Sequence, residues 1–195
     1  MSLQDRIINH FSDSIQSHQD AMMSLCELIE YAAQRLVNSL LQDQKILTCA
    51  NGRAVANAQL LTASLCGQFE RDRPALPIIL LGAEVIHLSA TINEHYLENL
   101  FAKPLRALAQ EGDILVLYSD GNEAITLNKA IEAAHDKELS IIALTGSTGG
   151  GISALLRETD IEIRVPANDS QRIHEVQVLI THCLCDLINQ QLFGV

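Results

Sequence analysis

The 195-residue sequence predicts a three-layer α/β sandwich on a five-stranded parallel sheet, as a single domain spanning residues 1–195. Three observations predict it. Five short β-rich runs follow residue 43, at 45–49, 77–81, 113–118, 140–144 and 161–165. Four are nearly continuous apolar runs, as strands buried on both faces of a parallel sheet must be, and the last alternates like an edge strand. Helix-length segments lie between most of them, and strand–helix–strand repetition places helices over both faces of the sheet. Finally, 48% hydrophobic against 19% charged residues supplies the core of an ordinary globular domain.

Residues 1–43 come first. Ile7, Ile8, Phe11 and Ile15 follow helical spacing, and so do Leu25, Leu28, Ile29, Ala32, Leu36 and Leu40. A pair of N-terminal helices is expected there, packing on the sheet domain and on neighbouring subunits. The first, third and fourth strands then run into turns expected to open helices: Asn51-Gly52-Arg53, Ser119-Asp120-Gly121-Asn122 and the glycine-rich 146–151. Ligands of open parallel sheets sit at such carboxyl ends, although the same turns also simply join strands to helices. No GxGxxG or Walker sequence is present, so nucleotide binding has no motif behind it. The last helix is expected after Pro166, with Asn168 as N-cap and Gln171 completing a weak capping box. Ile173, Val176, Leu179, Ile180, Cys183, Leu184, Leu187 and Ile188 trace its apolar face, wide enough for the sheet and another subunit. Leu192-Phe193 follows by a turn, among Gln190, Gln191 and Gly194. An aromatic beside a leucine there either closes a subunit interface or is left for a partner.

Composition excludes several functions. Thirteen Lys and Arg against 24 Asp and Glu leave a net charge of −11, which argues against direct nucleic-acid binding. With 4% aromatics and no Trp, stacking sites have little material. The longest apolar stretch, around 76–82, is far short of the roughly 20 residues of a membrane span. Neither a basic nor an apolar leader opens the chain, so a cytoplasmic location is expected. Cys26, Cys49, Cys66, Cys183 and Cys185 lie in apolar patterns and read as buried reduced thiols. His174 and His182 are eight residues apart, about 12 Å along a helix, too far to ligate one ion together. No metal site is expected.

The stretch Cys49-Ala-Asn-Gly-Arg-Ala-Val-Ala-Asn-Ala-Gln59, followed by Phe69-Glu-Arg-Asp-Arg-Pro74, resembles the sugar isomerase (SIS) family, in its phosphoheptose isomerase branch. The resemblance continues through Glu111-Gly-Asp-Ile-Leu115, Ser119-Asp-Gly-Asn122, Ala143-Leu-Thr-Gly146, the segment 160–166 and Arg172-Ile-His-Glu175. It implies the SIS fold and a homotetramer. In isomerases of the branch, a His and a Glu after the first loop, with a Gln and a His on the last helix, hold zinc and move a proton between sugar carbons. The resemblance puts Leu60, Ser64, His174 and His182 at those positions, so His174, Glu175 and His182 read as the remnant of a site with no catalytic residue. Family phosphate loops carry hydroxyls; here Arg53-Ala54 and Asp120-Gly121-Asn122-Glu123 replace them. Each of the carboxylates Asp120 and Glu123 repels an anion about 4 Å away by roughly 4 kcal/mol at an effective dielectric near 20. Sugar-phosphate binding is therefore disfavoured, with weak anion binding through Arg53 left open.

Val55-Ala-Asn-Ala-Gln59 with Ala63-Ser64, the segment 182–188, and Leu192-Phe193 resemble the initiator-associating subgroup, whose members are not isomerases. The resemblance implies a non-catalytic tetrameric scaffold that binds the replication initiator DnaA and promotes its assembly at the chromosomal origin. It also implies DnaA contact through Leu192 and Phe193, and no cofactor. Two alternatives stand beside it: a zinc-dependent isomerase of sedoheptulose 7-phosphate, and a sugar-phosphate sensor.

Overall fold

Five parallel strands form the sheet of the computed structural model, which describes residues 1–94, 96–121 and 124–194. They are β1 (Ile46–Ala50), β2 (Ile78–Leu80), β3 (Ile114–Tyr118), β4 (Ser140–Thr145) and β5 (Ile161–Arg164), in the order β2-β1-β3-β4-β5. Alternation along each strand divides the core in two. Ile46, Ile114, Val116, Tyr118, Ile142 and Leu144 point to one face, while Leu47, Cys49, Leu115, Leu117, Ile141 and Ala143 point to the other. The first face is covered by α1 (Leu3–Leu40), α2 (Val55–Cys66) and α6 (Ser170–Phe193). The second is covered by α4 (Ala102–Leu108) and α5 (Ile125–Asp136), with α3 (Val85–Asn93) reaching its rim through Leu88. This is the expected three-layer arrangement. None of the described helices is long and apolar enough to cross a membrane.

The expected pair of opening helices is one helix of 38 residues. The polar stretch from Gln16 to Asp20 interrupts the apolar stripe but contains no Gly or Pro, so nothing breaks the backbone. Ser17 and Ser24 instead return their hydroxyls to the carbonyls of Asp13 and Asp20, four residues back. Ser2 and Asp5 form a capping box at its start. Only from Ala21 onward does α1 bury side chains; Leu3, Ile7, Ile8, Phe11 and Ile15 are exposed in the single chain.

Three further expectations are corrected. The glycine-rich turn at 146–151 opens no helix. Gly149 and Gly150 take φ of +67° and +58°, and turns continue until β5, with Ile152 buried on the second face. The N-cap of α6 is Asp169, whose carboxylate accepts from the N–H groups of Gln171 and Arg172, while Asn168 accepts from the Ser147 hydroxyl instead. Of the five thiols, all free, only Cys49 and Cys185 are buried; Cys26 and Cys66 are exposed because they sit on outward turns of α1 and α2. Burial pushes the Cys49 thiol up, and that of Cys185 to about 12.

Without a helix, the β4–β5 connection is held by Glu162. Its Oε1 accepts from Thr145 Oγ1 at 2.8 Å and Ser153 Oγ at 2.6 Å, and its Oε2 from Arg164 at 2.7 Å. Burial raises the Glu162 pKa, but the hydrogen bonds from Arg164, Ser153 and Thr145 and the Arg164 charge outweigh it, so it lies below the ordinary 4.5. A depressed carboxylate stabilises the fold above its unfolded pKa, and that stabilisation is lost as pH falls through the folded value. Denaturant midpoints measured from about pH 5 down to about pH 3 should therefore fall more steeply for the native chain than for Glu162→Gln. Parallel slopes would contradict this role.

Candidate functional site

The chain runs from β1 outward to β2 and then returns to β3 on the other side of β1, so the sheet's switch point lies between β1 and β3. There the turn after β1 faces the loop after β3 across a cleft of about 350 Å³, lined by Asn51, Gly52, Ser119, Asp120 and the start of α5. Asn51 Nδ2 donates to Thr126 Oγ1 at 2.5 Å, and Ser119 Oγ accepts from the Gly121 N–H at 3.2 Å. Gly52 takes φ +56°, and a Cβ there would meet no atom within 4 Å, so backbone conformation and not space favours glycine. Ala54 and Ala124 stand at the N-caps of α2 and α5, and neither has a side-chain oxygen to cap them. α2 continues directly from a 3-10 turn over Gly52–Ala54, in which the Val55 N–H bonds the Gly52 carbonyl, and the start of α5 lines the cleft; Ser2 and Asp169 cap α1 and α6. A second cleft, of about 300 Å³, lies on the far side of Asn51 and Gly52 and is mainly apolar, with Leu80, Leu81, Leu88, Leu100 and Phe101 on its walls.

The structure therefore brings together Asn51, Gly52, Ser119 and Asp120 of the expected loops. Gly121 adjoins them with φ +92°, and Arg53 is exposed and does not line the cleft. Asn122 and Glu123 lie outside the described residues.

The remnant positions on α6 are separated in role. Glu175 does not pair with His174. Its Oε2 accepts from Ser14 Oγ and its Oε1 from Arg172, both at 2.7 Å, and Arg172 also donates to the His10 carbonyl. Glu175 thereby ties α6 to α1 within one chain. His174 is half-buried, and its Nδ1 has no partner among the described residues. His182, two turns away, rests 5.9 Å from the Phe69 ring. On α2, Leu60 is half-buried and Ser64 is buried. With Leu60 and Ser64 in place of an imidazole and a carboxylate, α2 supplies no donor that zinc favours, and the residues present do not fit the metal.

Sequence reading missed the group that holds the site loops. Gln177, fully buried, donates through Nε2 to the Ser119 carbonyl at 2.8 Å and the Leu144 carbonyl at 3.1 Å. Its Oε1 accepts from Asn57 Nδ2 at 3.2 Å. The available signal was a polar residue set inside the apolar face of Ile173, Val176, Ile180 and Leu184.

Leu192 and Phe193 form the last turn of α6 and not a segment beyond it, because Gly194 takes the left-handed conformation (φ +70°) that ends the helix. Leu192 packs on the core, and Phe193 is half-buried beside Arg73.

A sheet of this order, with its cleft at the switch point, is a doubly wound parallel α/β framework. The SIS domain signature matches residues 10–146, and the chain belongs to the SIS family. It is 45% identical over 194 residues, the whole of both chains, to the phosphoheptose isomerase of Methylococcus capsulatus. It is 43% identical to the DnaA initiator-associating protein DiaA of Yersinia enterocolitica, over 97% of this chain and 96% of that protein. The phosphoheptose isomerase structure from Francisella tularensis superposes with a TM-score of 0.94 at 38% identity, covering 97% of this chain and all of that one. The chain thus falls in the branch that holds both kinds of protein.

Replacing Gln177 by Leu leaves the Ser119 and Leu144 carbonyls without this donor, at an expected cost of about 1–3 kcal/mol. Equilibrium unfolding in denaturant measures it, and an unchanged midpoint would contradict the role of the amide.

Proposed function

We propose that this chain is a non-catalytic member of the branch, a homotetrameric scaffold that binds DnaA through a surface including Leu192 and Phe193. One observation carries the reading. Where resemblance to the isomerases puts a proton-moving His and Glu, α2 has Leu60 and a buried Ser64. Neither side chain moves a proton between sugar carbons at neutral pH. The likeness to DiaA supports the partner, and the apolar side chains exposed along the first half of α1 support self-association. Four copies of a modest contact on one scaffold gain avidity that no single contact has.

Pull-down with DnaA should retain the native chain and lose the Leu192→Ala/Phe193→Ala double variant while that variant stays tetrameric. Full binding by the double variant sinks the site, and no binding by either sinks the function. Incubated with sedoheptulose 7-phosphate and zinc, the native chain should give no turnover. A single observation favours a second reading, a sugar-phosphate sensor: the start of α5, with no side-chain cap at Ala124, lines the cleft. Calorimetric titration with heptose phosphate tests it, and the scaffold reading expects no heat.

A further inference from the structure

One guanidinium joins the end of α2 to the last turn of α6. Arg73 Nη2 donates to the Ser64 carbonyl at 2.6 Å, and Nη1 donates to those of Leu65 at 2.8 Å, Gly67 at 3.3 Å and Pro74 at 2.9 Å. The last carbonyls of a helix have no partners of their own, so this fork caps α2. The remaining donor, Nε, reaches Asn189 Oδ1 on α6 at 2.7 Å, and Asn189 Nδ2 donates back to the Phe69 carbonyl at 3.1 Å. Asn189 and Phe193 are four residues apart and share a helix face. The Phe193 ring then lies with its centroid 5.9 Å from the guanidinium carbon, within the range of a cation–π contact.

A terminal helical turn ordinarily frays. In this turn Leu192 packs on the core, Gln190 and Gln191 are exposed, and Gly194 ends it. We propose that Arg73 is the positioning residue for Phe193: it holds the last turn of α6 through Asn189 and seats one face of the ring on its guanidinium, so that the aromatic is presented in a fixed orientation. Orienting the ring beforehand removes an ordering cost from any contact it makes. That a partner meets this ring rests on the function proposed above; that Arg73 orients it does not.

The chain contains no Trp, so Phe193→Trp installs a single fluorescent reporter at the position. In the otherwise native chain, acrylamide should quench the introduced indole well below the value for free N-acetyltryptophanamide, and quenching equal to the free indole overturns the proposal without any change at Arg73. Adding Arg73→Met should raise the quenching constant about two- to fivefold, the population change that loss of an exposed cation–π contact produces. Arg73→Lys, which keeps the cation but not the fork, should fall between. It also serves if the Met variant does not fold. A purely structural Arg73 would lower the melting temperature of a folded variant yet leave the quenching of the indole unchanged, and that result overturns the proposal. In pull-downs Arg73→Met in the Phe193 background should weaken DnaA retention, and full retention by this folded variant overturns the role in presentation. Absence of DnaA binding by the native chain removes the function and leaves the fluorescence result standing.

Discussion

Gln177 sits fully buried where α6 crosses the carboxyl ends of β3 and β4, and an amide in that place must find partners or cost the fold its desolvation. It finds them on three different elements: the Ser119 and Leu144 carbonyls beyond or at the ends of two strands, and the Asn57 amide on α2. Sliding α6 by one turn would strand all of them, so the amide fixes the helix's register on the sheet. Everything else on that face depends on it. Toward its start, α6 offers Arg172 and Glu175 to the backbone and Ser14 of α1. Toward its end it offers Asn189 to Arg73. The three helices of the first face are therefore placed relative to one another by polar contacts spaced along one helix.

The same register brings the loop after β3 against the turn after β1, which is how the switch-point cleft keeps its shape. Shape and chemistry separate here. The Asn51–Thr126 contact ties the turn after β1 to the start of α5 at the strand ends. Leu60 and Ser64 of α2 do not line the cleft, and neither is a carboxylate or an imidazole. A framework common to many SIS proteins thus persists independently of the reaction some of them perform.

Much of this was legible in the sequence. Apolar runs at Ile114–Tyr118 and 141–144 read as strands buried on both faces, because they are rich in branched side chains and too short for a helix. The single opening helix was not legible, since Gln16 to Asp20 break the stripe by which amphipathic helices are recognised but not the backbone. The turn at 146–151 misled because glycine marks a change of direction without specifying the element after the turn. Arg73 and Gln177 stayed silent for a different reason. Their partners lie 116 residues away for Arg73–Asn189 and 120 for Asn57–Gln177, and such distances meet only in the folded chain.

We propose that the surface around the end of α6, and not the cleft, meets DnaA. Amide hydrogen exchange of the full chain with and without DnaA tests it most directly. The account predicts protection concentrated in residues 67–74 and 186–194, with the loops at 51–54 and 119–121 exchanging as before. Protection confined to those cleft loops, or none anywhere, would contradict it.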